Sequence, residues 1–260
     1  MQKLLQDVIV LVKETGEFIR QESRKFDDSK IEYKGKNDLV SYVDKEAEQK
    51  LVKGLSDILP GCGFIAEEGT SSHKSDIYNW IIDPLDGTTN FTHGLPVYAI
   101  SIALLKRGVL TLGIVYEINR DECFHAIKGQ GAFLNHSPIQ VSPAKTLDKS
   151  LLATGFPYYN FDQMRQYLMI INDFMQSTHG LRRMGSAAVD LAYTACGRFE
   201  GFFEYNLNAW DVAAGALLVQ EAGGKVTDFK GGNEFIFGRE IVAGNVTQPE
   251  MLQAIQKHWK

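Results

Sequence analysis

The sequence feature that most constrains this chain is the run Asp83-Pro84-Leu85-Asp86-Gly87-Thr88-Thr89-Asn90-Phe91. Aromatic and β-branched residues at positions 78–82 predict a buried strand immediately before it. Because proline has no backbone N–H, Pro84 predicts that the strand ends here and that Asp83 and Asp86 project beyond its carboxyl end. Mg²⁺ prefers oxygen ligands and often shares them with a substrate phosphate. The run therefore predicts a cation and phosphate site at the end of a strand.

The residues after Asp86 suit an anion. Gly87 lets the backbone approach a ligand closely. Thr88 and Thr89 predict the first turn of a short helix whose N–H groups face the anion. In isolation, the same residues are also explained by an ordinary Asp-Gly turn, in which the carboxylates only cap the backbone. Acidic residues elsewhere in the chain favour the cation site over this alternative.

Two other segments place acidic residues at the ends of apolar elements. Glu67 and Glu68 follow a strand-like stretch at residues 63–65, and Asp211 opens an apolar helical run that extends to Val219. Alone, Asp211 is also explained as an N-cap or first-turn acid that interacts with the helix dipole. Acids at the ends of three buried elements are a recurrent way to bind several cations. Together they favour a shared cation site.

These motifs together resemble the inositol monophosphatase family, in the bacterial form of the Mg²⁺-dependent, lithium-sensitive phosphatase superfamily. The resemblance covers essentially the whole chain, and residues 80–91 are its most specific part. The other matching segments are Asn37-Asp38-Leu39-Val40 with Val43-Asp44, Glu67-Glu68, Gly155-Phe156-Pro157-Tyr158, Gly185-Ser186-Ala187-Ala188, Trp210-Asp211-Val212-Ala213-Ala214-Gly215 and Glu221-Ala222-Gly223-Gly224. Gly69 and Ser186 stand where many members have Ser and Thr, which leaves the choice of substrate open.

The resemblance implies a role for each matching site residue. Two to three Mg²⁺ ions would be bound by the Leu85 carbonyl and by the side chains of Glu67, Asp83, Asp86 and Asp211. Catalysis would depend on the Glu67 side of the cluster and on Thr88, which would orient the attacking water with help from Asp44. Phosphate would be bound by the N–H groups of Gly87 and Thr88. The rest of the substrate would border Glu67, Leu85, Asp86, Gly185, Ser186, Ala187, Glu204 and Asp211. Asp44 is otherwise explained as a plain helix N-cap.

The implied reaction is hydrolysis of inositol-1-phosphate to myo-inositol and phosphate, by in-line attack of a metal-activated water without a phosphoenzyme. Adenosine 3′,5′-bisphosphate, fructose-1,6-bisphosphate and histidinol phosphate remain alternative substrates within the superfamily. The nucleotidase branch usually has Lys and Glu where this chain has Thr89 and Asn90, which favours the inositol branch. A regulatory role, in which the protein binds transcription or RNA-processing machinery, is an alternative of another class. The family also implies a homodimer and inhibition by Li⁺.

The composition limits other possibilities. The formal net charge of −5 argues against broad nucleic-acid binding, which needs clustered Lys and Arg. Cys62, Cys123 and Cys196 are isolated, which predicts reduced thiols and a cytoplasmic protein rather than disulfides or a zinc site. Charged residues interrupt the apolar residues near the start, so we expect no signal peptide. The apolar runs are also too short to predict a membrane span.

The pattern along the chain predicts two unlike halves, residues 1–147 and 148–260, in one compact unit. Helical spacing predicts helices over residues 2–25 and 44–58, with a polar loop through Tyr33-Lys34-Gly35-Lys36 between them. Residues 97–134 predict an antiparallel meander, and the second half alternates strands with helices. The expected fold class is α+β. The resemblance implies a layered α-β-α-β-α sandwich with the metal site between the halves.

Charged residues beside Gly185 have more than one interpretation. Asp190, in the helix predicted after Gly185, is explained equally by a place in the alcohol pocket or by helix packing. Arg182 and Arg183 are interpreted as solvated or ion-paired surface charges, in preference to contacts with a partner subunit or a second anion.

Overall fold

The chain forms seven α-helices and fourteen strands within the residues that the computed structural model describes, 1–26, 31–35, 38–157 and 161–260. Lys36, Asn37 and Tyr158, which belong to motifs named above, lie outside these residues. The helices are α1 Gln2–Ser23, α2 Tyr42–Ile58, α3 Thr88–Thr92, α4 Met164–Ser177, α5 Ala187–Ala195, α6 Ala209–Glu221 and α7 Gln248–Gln256. The strands are β1 Ile31–Gly35, β2 Asp38–Ser41, β3 Gly63–Ala66, β4 Tyr78–Asp86, β5 Ala99–Lys106, β6 Val109–Glu117, β7 Glu122–Ile127, β8 Ala132–Leu134, β9 Ser137–Ile139, β10 Leu151–Thr154, β11 Gly180–Arg182, β12 Gly201–Tyr205, β13 Lys225–Thr227 and β14 Glu240–Gly244.

The strands form two large sheets and one hairpin. The seven-stranded sheet has the order β3-β4-β5-β6-β7-β8-β9 and is antiparallel except for the parallel pair β3 and β4. The five-stranded sheet has the order β11-β10-β12-β14-β13. Its first three strands are parallel, whereas β12, β14 and β13 pair antiparallel. The antiparallel pair β1 and β2 stands apart from both sheets.

The helices cover both faces of each large sheet. Trp80 and Ile82 of β4 pack in the core shared with α1 and α2, whereas Ile81 packs on the opposite side with α5 and α6. In the five-stranded sheet, Phe202 packs toward α5 and α6, and Phe203 packs toward α4 and α7. This alternation follows from the two-residue period of a strand. The order helices, sheet, helices, sheet, helices confirms the predicted layered α-β-α-β-α fold.

The central helix layer explains why α6 shows no apolar stripe in the sequence. Residues from Val212 to Val219 are all buried, because α6 lies between the two sheets and contacts both. A helix buried on all sides is apolar all round. The outer helix α1 instead buries one face, through residues such as Val8, Val12 and Ile19, as the sequence predicted.

Strand β4 departs from the sequence prediction at Pro84. The strand continues through Pro84 to Asp86, so the prediction that it ends at Asp83 is wrong. Asp83 pairs with Ser101 and Asp86 pairs with Ala99, so β4 has one more residue than β5 between the two pairs. Such a β-bulge leaves one residue unpaired and therefore accommodates a proline. Residues three apart face opposite sides of a regular strand, and the bulge lets both carboxylates reach one side.

Other differences concern short strands. The polar loop predicted between the first two helices contains β1, which pairs with β2. The three-residue strands β9 and β11 were not predicted, because three residues are too few to show an alternating pattern. The helices at residues 2–25 and 44–58 and the meander are confirmed with shifts of a few residues at their ends. No helix among the described residues is long and apolar enough to cross a membrane.

Candidate active site

A cavity of about 330 Å³ opens where the end of β4 meets the first turns of α5 and α6. It brings together residues that are far apart in the sequence. The predicted site residues in its wall are Glu67, Asp83, Leu85, Asp86, Gly87, Thr88, Gly185, Ser186, Ala187, Glu204 and Asp211. Asp44 is not part of the wall, because its side chain lies behind Thr88.

The three aspartates form the densest group of charge in the cavity. One carboxylate oxygen from each of Asp83, Asp86 and Asp211 lies within 4.8 Å of the other two. Asp83 is buried, and Asp86 and Asp211 are half-buried. Burial raises the pKa of Asp83 well above its usual value, and the charges of Glu67, Asp86 and Asp211 raise it further. The carboxylates therefore repel one another when no cation lies between them.

Helix α5 fixes the orientation of Asp86. The Ser186 hydroxyl and the Ala188 N–H both donate to Asp86 Oδ2, at 2.7 and 2.6 Å. Burial raises the pKa of Asp86 to about 6, although these hydrogen bonds act in the opposite direction. Ser186 is also the N-cap of α5 and accepts a hydrogen bond from the Val189 N–H. One oxygen of Asp86 is thus held by protein, and the other is left for the cavity.

The buried Asp44 and the half-buried Thr88 form a hydrogen-bonded pair beside the three aspartates. The Thr88 hydroxyl lies 2.7 Å from Asp44 Oδ1 and 3.1 Å from the Leu85 carbonyl oxygen. Asp44 Oδ2 accepts the N–H and the hydroxyl of Ser41. Ser41 is the N-cap of α2 and Asp44 is its third residue, so Asp44 both closes a capping box and contacts Thr88. Burial raises the pKa of Asp44.

Asp211 occupies the same position in α6 as Asp44 does in α2. It is the third residue of the helix, and its Oδ2 accepts the N–H of the N-cap residue Asn208 at 2.6 Å. The Arg239 guanidinium holds the preceding loop, since it donates to Asn206 and to Asn208. Asp211 therefore has the capping role that was the alternative explanation for it. The same hydrogen bond places the second carboxylate oxygen at the cavity.

Glu48 supports the loop that carries Glu67. It lies on α2, is fully buried, and accepts the N–H groups of Glu68 and Thr70 at 2.7 and 2.8 Å. The Glu67 N–H in turn donates to the Ile82 carbonyl at 3.3 Å. Sequence reasoning missed Glu48, because nothing in its local pattern separates it from the exposed acids of the same helix.

The cavity wall also contains Glu204, Gly155 and Arg183. A Cβ atom at Gly155 would lie 2.2 Å from both carboxylate oxygens of Glu204, so any larger residue would displace this carboxyl group. Burial raises the pKa of Glu204 to about 8, and the Arg183 charge acts against this shift. The surface role favoured for Arg183 is therefore incomplete, because this residue also lines the cavity. Its position two residues before Gly185 is the one signal that could have indicated this.

Gly87 lies between the aspartates and the short helix α3. Its φ is 100°, which is in the left-handed region that favours glycine. A Cβ atom there would also lie 3.0 Å from the Val97 carbonyl oxygen. The turn from β4 into α3 thus depends on glycine, whereas the close approach of a ligand to Gly87 stays a prediction. Further cavity residues that the sequence pattern did not indicate are Asn206, Leu207 and Asn208.

The donor set is suited to a hard divalent cation. All the candidate ligand atoms are oxygens, from carboxylates and a backbone carbonyl, which matches Mg²⁺ and Ca²⁺ rather than softer metals. The raised pKa values of Asp83 and Asp211 arise from burial and from neighbouring acids, which a bound cation would neutralise. Asp83, Leu85, Asp86, Asp211 and Glu67 would hold such ions.

Comparisons with known proteins give the family. The model of the inositol monophosphatase family matches residues 1–260. A putative Nus factor SuhB of Neisseria meningitidis is 44% identical over 260 residues, which cover 99% of this chain and 100% of that protein. An inositol-1-monophosphatase of Mesorhizobium japonicum is 38% identical and covers 98% of this chain and 96% of its own length.

The fold also matches solved structures. The extragenic suppressor protein suhB from Bartonella henselae superimposes with a TM-score of 0.93 at 38% identity, over 98% of this chain and 99% of that chain. Sequence and structure agree over the full length, and the resemblance inferred from the motifs is confirmed. The chain belongs to the inositol monophosphatase family.

Proposed function

We propose that this protein is a Mg²⁺-dependent phosphate monoester hydrolase whose preferred substrate is inositol-1-phosphate. The observation that carries the proposal is the convergence of Asp83, Asp86 and Asp211 within 4.8 Å, in a cavity that also contains Thr88. The relative named inositol-1-monophosphatase supports the choice of substrate. The family resemblance supports two to three Mg²⁺ ions, a homodimer and inhibition by Li⁺. The three free cysteines support a cytoplasmic location.

In this proposal, bound Mg²⁺ would lower the pKa of the attacking water and stabilise the leaving alcohol oxygen. The residues of this chain position the ions and the phosphate. Glu67, Asp83, Leu85, Asp86 and Asp211 hold the ions. The backbone N–H groups of Gly87 and Thr88, at the cavity wall, bind the phosphate. The phosphate would therefore be held beside the three aspartates with its alcohol group directed toward Glu204.

Thr88 and Asp44 are proposed to orient the attacking water. The Thr88 hydroxyl donates to Asp44 at 2.7 Å, the nearer of its two acceptors, so the lone pairs of Thr88 Oγ1 can accept a hydrogen bond from a water. Burial makes Asp44 more basic than an exposed aspartate, which strengthens its hold on the Thr88 hydrogen. The pair would thus align the water with the phosphorus atom and receive its proton.

The experiment that tests the function is a panel of phosphate monoesters at one fixed Mg²⁺ concentration. We expect the highest kcat/KM for inositol-1-phosphate, with lower values for adenosine 3′,5′-bisphosphate, fructose-1,6-bisphosphate and histidinol phosphate. A higher value for one of these three would assign the protein to another branch of the superfamily. Failure to hydrolyse any ester in the panel would overturn the phosphatase proposal itself.

The variant Glu204→Gln tests the alcohol side of the cavity. The assay is run at pH 9, above the pKa of about 8 for Glu204, so that the wild-type side chain is charged. Gln keeps the shape of the side chain but removes the charge that strengthens a hydrogen bond from a substrate hydroxyl. We expect kcat/KM for inositol-1-phosphate to fall about tenfold, the effect of losing one charge-assisted hydrogen bond. The Mg²⁺ concentration for half-maximal activity should change less than about twofold, because Glu204 lies outside the three-aspartate group.

The matched control is Glu250→Gln, at an exposed acid of α7, which should leave both quantities at their wild-type values. A large change in the Mg²⁺ requirement of Glu204→Gln would place Glu204 among the metal ligands instead. An equal fall in kcat/KM for inositol-1-phosphate and for a simple alkyl phosphate would show that Glu204 does not recognise the alcohol.

A second candidate function is a Nus factor-like role in binding transcription or RNA-processing machinery. The observation in its favour is the name Nus factor SuhB, given to relatives that match nearly the full chain, such as one from Pseudomonas aeruginosa at 42% identity. The two functions are separated by a variant that lacks phosphatase activity but folds. If cells that carry Asp83→Asn grow as the wild type does, whereas a deletion strain does not, the regulatory role is supported.

A further inference from the structure

Asp190 is a buried acid that the proposed chemistry does not use. It lies on the first turn of α5, is 1% exposed, and is the one charged residue of that helix. Its Oδ1 is buried and has no hydrogen-bond partner among the described residues. A buried polar atom without a partner costs free energy, and in native proteins it usually has a specific reason.

The surroundings of Asp190 indicate what that reason is. The residue lines the same cavity as the three aspartates, on the side of Glu204. Burial, together with the neighbouring charges of Glu204 and Asp86, raises the pKa of Asp190 well above its usual value, and the Arg183 charge acts against this shift. A carboxylate that lines a cavity and has an unsatisfied oxygen is an acceptor for a donor that enters with a ligand.

Helix α5 gives Asp190 a fixed position relative to the phosphate end of the cavity. The Asp190 N–H donates to the Ser186 carbonyl at 3.0 Å, within the helix. Ser186 in turn donates its hydroxyl to Asp86 at 2.7 Å. One helical turn therefore connects a candidate cation ligand to Asp190, so the distance between the reacting phosphate and the Asp190 carboxylate is set by the backbone.

We propose that Asp190 is a specificity residue which, with Glu204, accepts hydrogen bonds from hydroxyl groups of the substrate alcohol. This inference rests on the proposed phosphatase function and deepens it. The substrate class is a phosphate monoester of a polyol whose free hydroxyls reach both carboxylates. Hydroxyl groups are donors that satisfy buried carboxylates.

The test compares inositol-1-phosphate, which has several free hydroxyls, with ethyl phosphate, which has none. We expect Asp190→Ala to lower the ratio of the two kcat/KM values about tenfold, the effect of losing one buried hydrogen bond. Asp190→Asn keeps the shape and one neutral acceptor, so it should lower the ratio by less.

Thermal stability distinguishes recognition from a structural role. Asp190→Ala removes an unsatisfied buried oxygen and introduces the best helix-forming residue. We therefore expect its Tm to equal or exceed that of the wild type, although the substrate ratio falls. A lower Tm together with an unchanged ratio would show that Asp190 only packs the helix, and would overturn the proposal.

A control and a second readout complete the design. Asp173→Ala, on α4 and paired with His258 away from the cavity, should leave the substrate ratio at the wild-type value. Binding of both esters is also measured by calorimetry with Ca²⁺, which takes the same oxygen ligands as Mg²⁺. Asp190→Ala should weaken binding of inositol-1-phosphate more than that of ethyl phosphate, and equal weakening would overturn the proposal. This readout does not depend on turnover, so it separates failure of this inference from failure of the phosphatase function.

Discussion

Replacing Asp83 by Asn is expected to lower kcat/KM for a phosphate monoester more than about 100-fold, since loss of even an outer hydrogen-bond partner of a metal ligand typically costs about 10–100-fold. Asp83 is the most buried of the three clustered aspartates, at 2% exposed. Its Oδ1 also accepts the Leu85 N–H at 3.0 Å, which holds the bulge of β4. Asn retains an acceptor for this hydrogen bond, so the fold should remain intact while cation binding is lost.

The thermal stability of Asp83→Asn separates loss of cation binding from loss of the fold. In a chelator, Asp83→Asn should have a higher Tm than the wild type, because one of the mutually repelling buried charges is absent. Far-ultraviolet circular dichroism should match the wild type. The control Asp148→Asn, at an exposed acid, should keep full activity. A turnover rate near the wild-type value in Asp83→Asn would mean that the cation is held elsewhere.

The second large effect is expected from magnesium itself. A ligand that binds only the folded state at 100 times its Kd stabilises that state by about 2.7 kcal/mol. For a chain of this size each kcal/mol raises Tm by about 2–4 °C, so saturating Mg²⁺ should raise Tm by about 5–10 °C. Relief of repulsion among Asp83, Asp86 and Asp211 is the physical reason. Scanning calorimetry with Mg²⁺ and with a chelator measures the shift.

The pH dependence of Tm in the presence of a chelator tests whether charge among the buried acids destabilises the protein. The pKa of Asp86 is raised from 3.8 to about 6, and that of Glu204 is raised from 4.5 to about 8. The folded state therefore binds more protons than the unfolded state between these values. Its extra stability is fully present below about pH 4 and is lost as the pH rises through about 6 and 8. Without Mg²⁺, Tm should fall over this window, and no rise of Tm on adding Mg²⁺ at pH 8 would contradict the cation site.

Much of the architecture could be predicted because its signals are local. The periodicity of α1, the turns of the meander and the apolar run of α6 each depend on residues close together in the sequence. The proximity of Asp83 and Asp211 could be inferred because each follows or opens a buried apolar element. The family resemblance added the layer order, which no local pattern contains.

The rest depends on contacts between distant segments. Glu48 looks like any other acid of α2, and its two hydrogen bonds to the Glu67 loop appear only when α2 packs against β4. Arg183 reaches the cavity because the loop before α5 passes beside Glu204. Pro84 is a strand breaker by its own chemistry, but β5 pairs on both sides of it and leaves the bulge between.

Asp44 and Asp211 each serve as the third residue of a helix whose N-cap they also bond. Removing either carboxylate would therefore loosen a helix end as well as the site, and loss of a cap contact typically costs about 1 kcal/mol. Thr88 has no comparable helix-capping role. An engineer who wished to turn this scaffold into a receptor that captures phosphate esters without cleaving them should therefore begin at Thr88.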